Sequence, residues 1–346
     1  MNTGDLSTLL VWGAATAFTI ALIAYGVDLA GIAERAQKRV PVAVAAGSSS
    51  GRPATAVAGS ADQRASGRSP RAEGIARATT LLGLVLLFAG IVLRGIAAGR
   101  WPTANMYEFT IVGVFVAVTV LAVVHRRRVI AFVGVLVMGI AVLALVLALN
   151  AFYVQADQVQ PALQSYWLIL HVGVAIIATG IFTVAFAASV LQVLRSFREE
   201  GLAAADGPVV TVGTAPADGG NRPSDRFRRM VSGRKFDWLE QVPGSRELEA
   251  MSFRLNALAF VLWTLTLIGG AIWAEHAWGR YWGWDAKEVG TFVAWVVYAA
   301  YLHARTTRGW SGRRAAYFVF VGYGVVLANF TVVNLVVPGK HSYSGV

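Results

Sequence analysis

The chain has 346 residues, 56% of them hydrophobic and 14% charged, with 30 Lys or Arg against 19 Asp or Glu and no cysteine. That balance excludes a water-soluble domain and a disordered chain, and the missing thiols exclude disulfides and thiolate metal sites. Several apolar runs approach the roughly 20 residues that a helix needs to cross about 30 Å of hydrocarbon, so the sequence predicts an all-α, polytopic membrane bundle.

Eight spans are predicted, at about 8–27, 79–98, 109–125, 129–149, 166–191, 253–274, 289–304 and 315–336. The first, within region 1–30, has no basic residue ahead of its apolar run in MNTGDLSTLL and is followed by ERAQKR, which predicts a retained helix rather than a cleaved signal. Region 31–78 and the stretch EEGLAAADGPVVTVGTAPADGGNRPSD are rich in Ala, Gly and Ser and read as flexible linkers. Region 79–194 holds spans two to five, 195–252 forms a second long loop, and 253–346 holds spans six to eight. Phe236, Trp238 and Leu239 sit among charges late in that second loop, which suits either a segment lying on the membrane surface or a soluble turn. Loops after the odd-numbered spans hold 24 Lys or Arg, whereas the opposite side has only Arg94, Arg100, Arg280, Lys287 and Lys340. The positive-inside rule therefore puts both termini, and the loop between spans six and seven, outside the cytoplasm of a cell membrane. Topology also accounts for the net charge of +11 without any nucleic acid.

That outer loop, residues 275–288, reads EHAWGRYWGWDAKE. An interfacial aromatic belt explains any one of its tryptophans, but not the glycines and the acid packed among them. Of the five histidines, His125 sits among arginines at the inner end of span three and reads as an interfacial residue, and His276 lies on the outer rim with its role open. His171 lies five residues, roughly 7 Å, inside the outer end of span five, and His341 follows the last span, so both share the loop's side. His303 lies 15 residues beyond Glu288, roughly 22 Å toward the cytoplasm, where a polar ring is costly unless paired. It is either a functional site or a histidine reaching for the inner surface beside Arg305. Two imidazoles on one face, flat aromatic rings between them and nearby cations suit a haem, whose iron takes axial imidazoles and whose propionates seek Arg280 or Lys287. A haem platform and an aromatic belt both stay open on these residues alone.

The segment WAEHAWGRYWGWDAKEVGTFVAWVVYAAYLHAR closely resembles the tryptophan-rich "WWD" signature of haem-handling membrane proteins, in the CcsA/ResC branch that matures c-type cytochromes by System II. RWPTANMYEF resembles that family's second outer loop, PALQSYWLILHV its fifth span and VNLVVPGKHSYSG its C-terminal end, so the likeness runs from about residue 79 onward. It implies a membrane subunit of a holocytochrome c synthase, or haem lyase. Such a subunit transports haem b across the membrane and presents it outside for thioether attachment to Cys-x-x-Cys-His of apocytochrome c.

By the same resemblance, His171 and His341 hold the iron externally, and Trp278, Trp282, Trp284 and Asp285 form the signature around it. Arg280 and Lys287 stand as haem-binding cations, and His303 takes iron within the membrane together with a partner's histidine; no residue is assigned to catalysis beyond haem presentation. The implied partners are a second System II membrane subunit of the CcsB/ResB type with a large external domain, apocytochrome c and thiol-reducing proteins. The chain departs from the family at Glu275 and His276, where relatives usually carry Asn-Glu, and at Ala286, where many have Pro. Two other readings are a haem b electron-transfer membrane protein and a haem exporter without synthase activity.

Overall fold

The structure, a computed structural model, describes residues 2–38, 70–127, 131–158, 165–205 and 223–340. Regular structure among them is entirely helical: α1 (Thr3–Lys38), α2 (Pro70–Ala98), α3 (Met106–Arg127), α4 (Ala131–Asn150), α5 (Tyr166–Ala205) and α6 (Pro223–Val231) come first. A 3-10 segment (Arg234–Gln241) then leads to α7 (Ser245–Trp278), α8 (Ala286–Arg308), α9 (Arg313–Phe330) and α10 (Val332–Val336). Helices are what apolar runs must form in hydrocarbon, where only the chain itself can satisfy its N–H and C=O groups.

Among the described residues, seven helices are long and apolar enough to cross a membrane, which makes this a multi-pass membrane protein. The seventh predicted span, 289–304, is present as the 23-residue α8, about 34 Å long, but falls outside that group. Its composition explains this. Lys287, Glu288, Arg305 and Arg308 occupy its ends, while Tyr298 and Tyr301 are buried on the side of α8 that packs on α9 and α7. Most of the two predicted linkers lies outside the described residues.

Two apolar cores share α5, whose span is more buried than that of any other helix. The first joins Phe18 of α1, Leu87 of α2, Ile111 of α3, Met138 of α4 and Leu191 of α5. The second joins Phe182 of α5, Trp263 of α7, Tyr298 of α8 and Tyr323 of α9, with Phe182 stacked on Tyr298 at 4.0 Å between ring centroids. Small residues let α5 pack closely: a Cβ at Gly180 would lie 2.7 Å from Val116 Cγ1 of α3.

Each end of the bundle is closed by a buried arginine. At the basic end, Arg198 of α5 donates to Asp237 Oδ1 at 2.7 Å, to Glu240 Oε1 at 2.6 Å and to the Val231 carbonyl at 3.0 Å. Trp238 stacks on Phe132 at 5.4 Å and Leu239 is fully buried, so the stretch that suited a surface segment or a free turn docks onto α1, α4 and α5. At the opposite end, Glu108 of α3 accepts from Arg94 Nε at 3.0 Å, from Arg100 at 2.7 Å and from the Ala104 N–H at 2.9 Å. Arg94 reaches on to the Val154 carbonyl and Arg100 to that of Asp157. This cluster fixes the turn 99–105 and the chain after α4 to the top of α3. Arg94, counted from the sequence among outer-side charges, is thus a buried structural residue.

Candidate functional site

The tryptophan loop begins where α7 stops. Gly279 takes the left-handed conformation (φ 67°) and returns its N–H to the Glu275 carbonyl, an ending that glycine adopts without penalty. The loop closes on α8, where Asp285 is the N-cap and Glu288 completes a capping box. Glu288 Oε2 accepts from the Gly283 N–H at 2.8 Å and the Asp285 N–H at 3.1 Å. Between those two donors sits Trp284, at φ 58° the one non-glycine residue of positive φ among the described residues. Its indole is 78% exposed and meets Trp282 edge-on at 5.7 Å. Trp282 in turn packs edge-on against Phe292 of α8.

Asp285 has a second task. Its Oδ1 accepts the Lys340 N–H at 2.8 Å, and the Lys340 ammonium lies 5.3 Å over the Trp278 ring. The C-terminal segment is therefore latched onto the tryptophan loop one residue before His341. His341 itself lies outside the described residues. Beneath the loop, Trp278 packs edge-on against the buried Trp273 at 4.8 Å.

His171, in the second turn of α5, is held by α7. Its Nδ1 lies 2.8 Å from the Thr266 carbonyl, which can only accept, so Nδ1 carries the proton and the lone pair belongs to Nε2. The ring runs nearly parallel to Trp273, with 9° between planes and 6.2 Å between centroids. Closeness to α7 depends on Gly270, where a Cβ would lie 2.7 Å from His171 Cε1. Sequence reasoning found His171 but neither Thr266 nor Gly270; the small pair Gly269–Gly270 inside an apolar run was the available signal.

Two adjoining cavities meet at this imidazole. One, of about 120 Å³, is walled by Phe109, Trp263, Asn329 and Phe330, the other, of about 50 Å³, by Trp273, Trp278, Tyr281 and Trp282. Both are lined by His171, Thr266, Lys287 and Thr291. Lys287, ahead of the predicted span 289–304, donates to the Asn329 carbonyl at 3.0 Å and Asn334 Oδ1 at 2.7 Å. Burial lowers its pKa to about 7, with Asp285 pulling the other way.

Other predicted residues stand apart. Arg280 lies against the Gly283 backbone, where a Cβ would meet its guanidinium at 2.2 Å, and lines neither of the two cavities. His276 is exposed and bonds the Ile272 carbonyl of its own helix at 2.8 Å. His303 is exposed on α8, far along the helix from the loop, and its carbonyl accepts from Thr307 Oγ1 at 2.6 Å. The structure thus groups His171, Trp278, Trp282 and Lys287 around two cavities, sets Trp284 above them and leaves His303 elsewhere.

A polytopic helical membrane protein that fixes an imidazole beneath a tryptophan-rich loop is the class these features define. The chain belongs to the cytochrome c assembly protein family, whose model matches residues 103–341, and within it to the CcsA type. It is 32% identical over 281 residues to the cytochrome c biogenesis protein CcsA of Prochlorococcus marinus (strain MIT 9515), covering 79% of this chain and 85% of that protein. The CcsA of Synechococcus elongatus is 35% identical over 270 residues, 72% of this chain and 81% of its own. Among solved structures, the cytochrome c haem lyase CcmF shares the fold with a TM-score of 0.57 at 15% identity, covering 95% of this chain. The chain spans about half (47%) of that structure's length.

Proposed function

We propose that this chain is the haem-presenting membrane subunit of a System II cytochrome c synthase, acting on haem b as its substrate at the non-cytoplasmic face. The observation that carries the reading is His171, set by the Thr266 carbonyl with its Nε2 lone pair defined, at the junction of two aromatic-lined cavities under the tryptophan loop. Nε2 is the iron ligand in this reading, and His341, the residue after Lys340, supplies the second. Trp278 and Trp282 wall the macrocycle, Trp284 and Asp285 complete the "WWD" signature, and Lys287 is the cation nearest the site for a propionate. Arg280 serves at the rim.

Attachment needs nothing from this chain but position and water exclusion. Each cysteine S–H of the apocytochrome motif adds across a haem vinyl C=C, sulfur to one carbon and hydrogen to the other, with no net oxidation. The motif histidine then displaces an axial imidazole and carries the product away. His303, exposed on α8, suits a transfer ligand shared with a histidine of a CcsB/ResB-type partner, whose external domain grips the apocytochrome. Thiol-reducing proteins keep the incoming cysteines reduced.

The test is haem quantitation with visible spectra on the detergent-purified chain, alone and with its partner, for wild type and for His171→Ala combined with His341→Ala. A single haem lost in the double variant is expected. Two haems that survive it would overturn the reading in favour of an electron carrier.

A further inference from the structure

The capping carboxylate of α8 does more than cap. A helix N-cap box needs one N–H from the N-cap residue, here that of Asp285. Glu288 takes a second one, from Gly283, on the same oxygen. Its other oxygen is buried and makes no hydrogen bond among the described residues, so all of this carboxylate's bonding goes to the N–H groups of the two residues on either side of Trp284. A bulky aromatic residue resists positive φ because its Cβ crowds the neighbouring carbonyl. Yet the structure places Trp284, rather than the preceding Gly283, in that conformation. The result is geometric. Trp282 packs on Phe292 and lines the cavity of Trp273 and Trp278, and Trp284 is exposed, perpendicular to Trp282 at 87°.

We propose that Glu288 is a positioning residue whose carboxylate, by drawing in the Gly283 and Asp285 N–H groups, holds Trp284 left-handed so that its indole is presented outward as the rim contact for haem. The haem part of this inference rests on the proposed function; the placement of Trp284 does not. Residue 284 is thereby the part of the signature whose display depends on a side chain one helical turn away. Asp285 acts on the C-terminal segment through its own oxygens, so the two acids of this turn have separate tasks.

The experiment uses the full chain labelled with 5-fluorotryptophan, read by fluorine NMR and by haem retention. The Trp284 resonance is identified by its loss in Trp284→Gly. In Glu288→Ala it is expected to shift or broaden, with that of its edge-on neighbour Trp282, while the remaining tryptophan signals keep their positions, and in Glu288→Gln, which retains an acceptor oxygen, to stay in place. Haem retention is expected to fall at least tenfold in Glu288→Ala and in Trp284→Gly, and to return to within about threefold of wild type in Glu288→Gln, since a neutral acceptor keeps roughly half the strength of a charged one. In the Trp284→Gly background, where glycine takes positive φ unaided, adding Glu288→Ala should cause no further loss. If Glu288→Ala fails to fold, Glu288→Asp replaces it, being too short to reach both donors and expected to move the same resonance.

An unmoved Trp284 signal in Glu288→Ala or Glu288→Asp, or haem losses that multiply in the double variant, would overturn the inference. A wild-type chain that never retains haem, alone or with its partner, would sink the haem reading instead, and the fluorine spectra would still decide the placement.

Discussion

Gly270→Ala isolates the seat of His171 without touching the imidazole. In a helix interior the substitution by itself should stabilise by about 1 kcal/mol. Here the new methyl would sit 2.7 Å from His171 Cε1 and 2.9 Å from Nδ1, against 3.4 Å for ordinary contact, so the ring must retreat about 0.7 Å. Thr266 lies on the same helix as Gly270, one turn earlier, so that retreat stretches the 2.8 Å bond to its carbonyl to the edge of hydrogen bonding. Overpacking costs about 1–3 kcal/mol and the weakened bond about 1 kcal/mol. Set against the helix gain, the net loss is about 1–3 kcal/mol, a fall of roughly 1–4 °C in melting temperature for a chain of this size. Haem retention should fall as well, at least tenfold, equivalent to about 1.4 kcal/mol, because the ligand nitrogen is displaced and its tautomer is no longer enforced. Thermal unfolding in detergent and haem titration read the two effects separately. Gly173→Ala, on the His171 helix but with nothing within 4 Å of the added carbon, is the control and should change neither property for the worse. Wild-type haem affinity and spectrum in Gly270→Ala would refute the claim that the α5–α7 contact sets the ligand.

Glu108→Ala leaves the Arg94 guanidinium buried without its carboxylate and releases the turn 99–105, so a loss of about 3–5 kcal/mol is expected in thermal or denaturant unfolding; a change below 1 kcal/mol would show the cluster to be incidental. For Lys287, the folded pKa of about 7 lies below the ordinary lysine value of 10.5, so between those pH values the unfolded chain binds one more proton. Stability attributable to this group therefore rises as pH increases through that window, and Lys287→Met should flatten the slope of melting temperature against pH from 7 to 10. An identical slope in the variant would show that the ammonium is not desolvated.

What could be read in advance divides along physical lines. Spans come from runs of apolar residues, a local property, and so the helices α1 to α5, α7 and α9 match their predicted stretches. The tryptophan loop is shorter than the predicted 275–288, because Gly279 and Asp285 are residues whose local preferences end one helix and start the next. Contacts between distant segments were not legible. Nothing local says that Arg94 pairs with Glu108, that Trp238 stacks on Phe132, or that the Thr266 carbonyl waits for His171. Asp285 shows the limit best: the resemblance marked it as part of a signature, whereas its bonds are to a helix N-terminus and to the backbone of Lys340, 55 residues further on. Trp284 could not have been singled out from Trp278 and Trp282 by sequence, since positive φ at a tryptophan runs against its own preference.

The 40-residue α5 carries His171 near one end and Arg198 near the other, 27 positions apart on one uninterrupted rod of about 40 Å between them. Both side chains must face fixed neighbours, Thr266 above and the 3-10 segment below, so the rod is a keyed shaft with a tooth at each end. One inserted or deleted residue anywhere between the teeth would turn one against the other by about 100°. The sequence of this stretch is then free to drift in composition but not in count, and an alignment of relatives should show substitutions here and gaps only beyond the two keys.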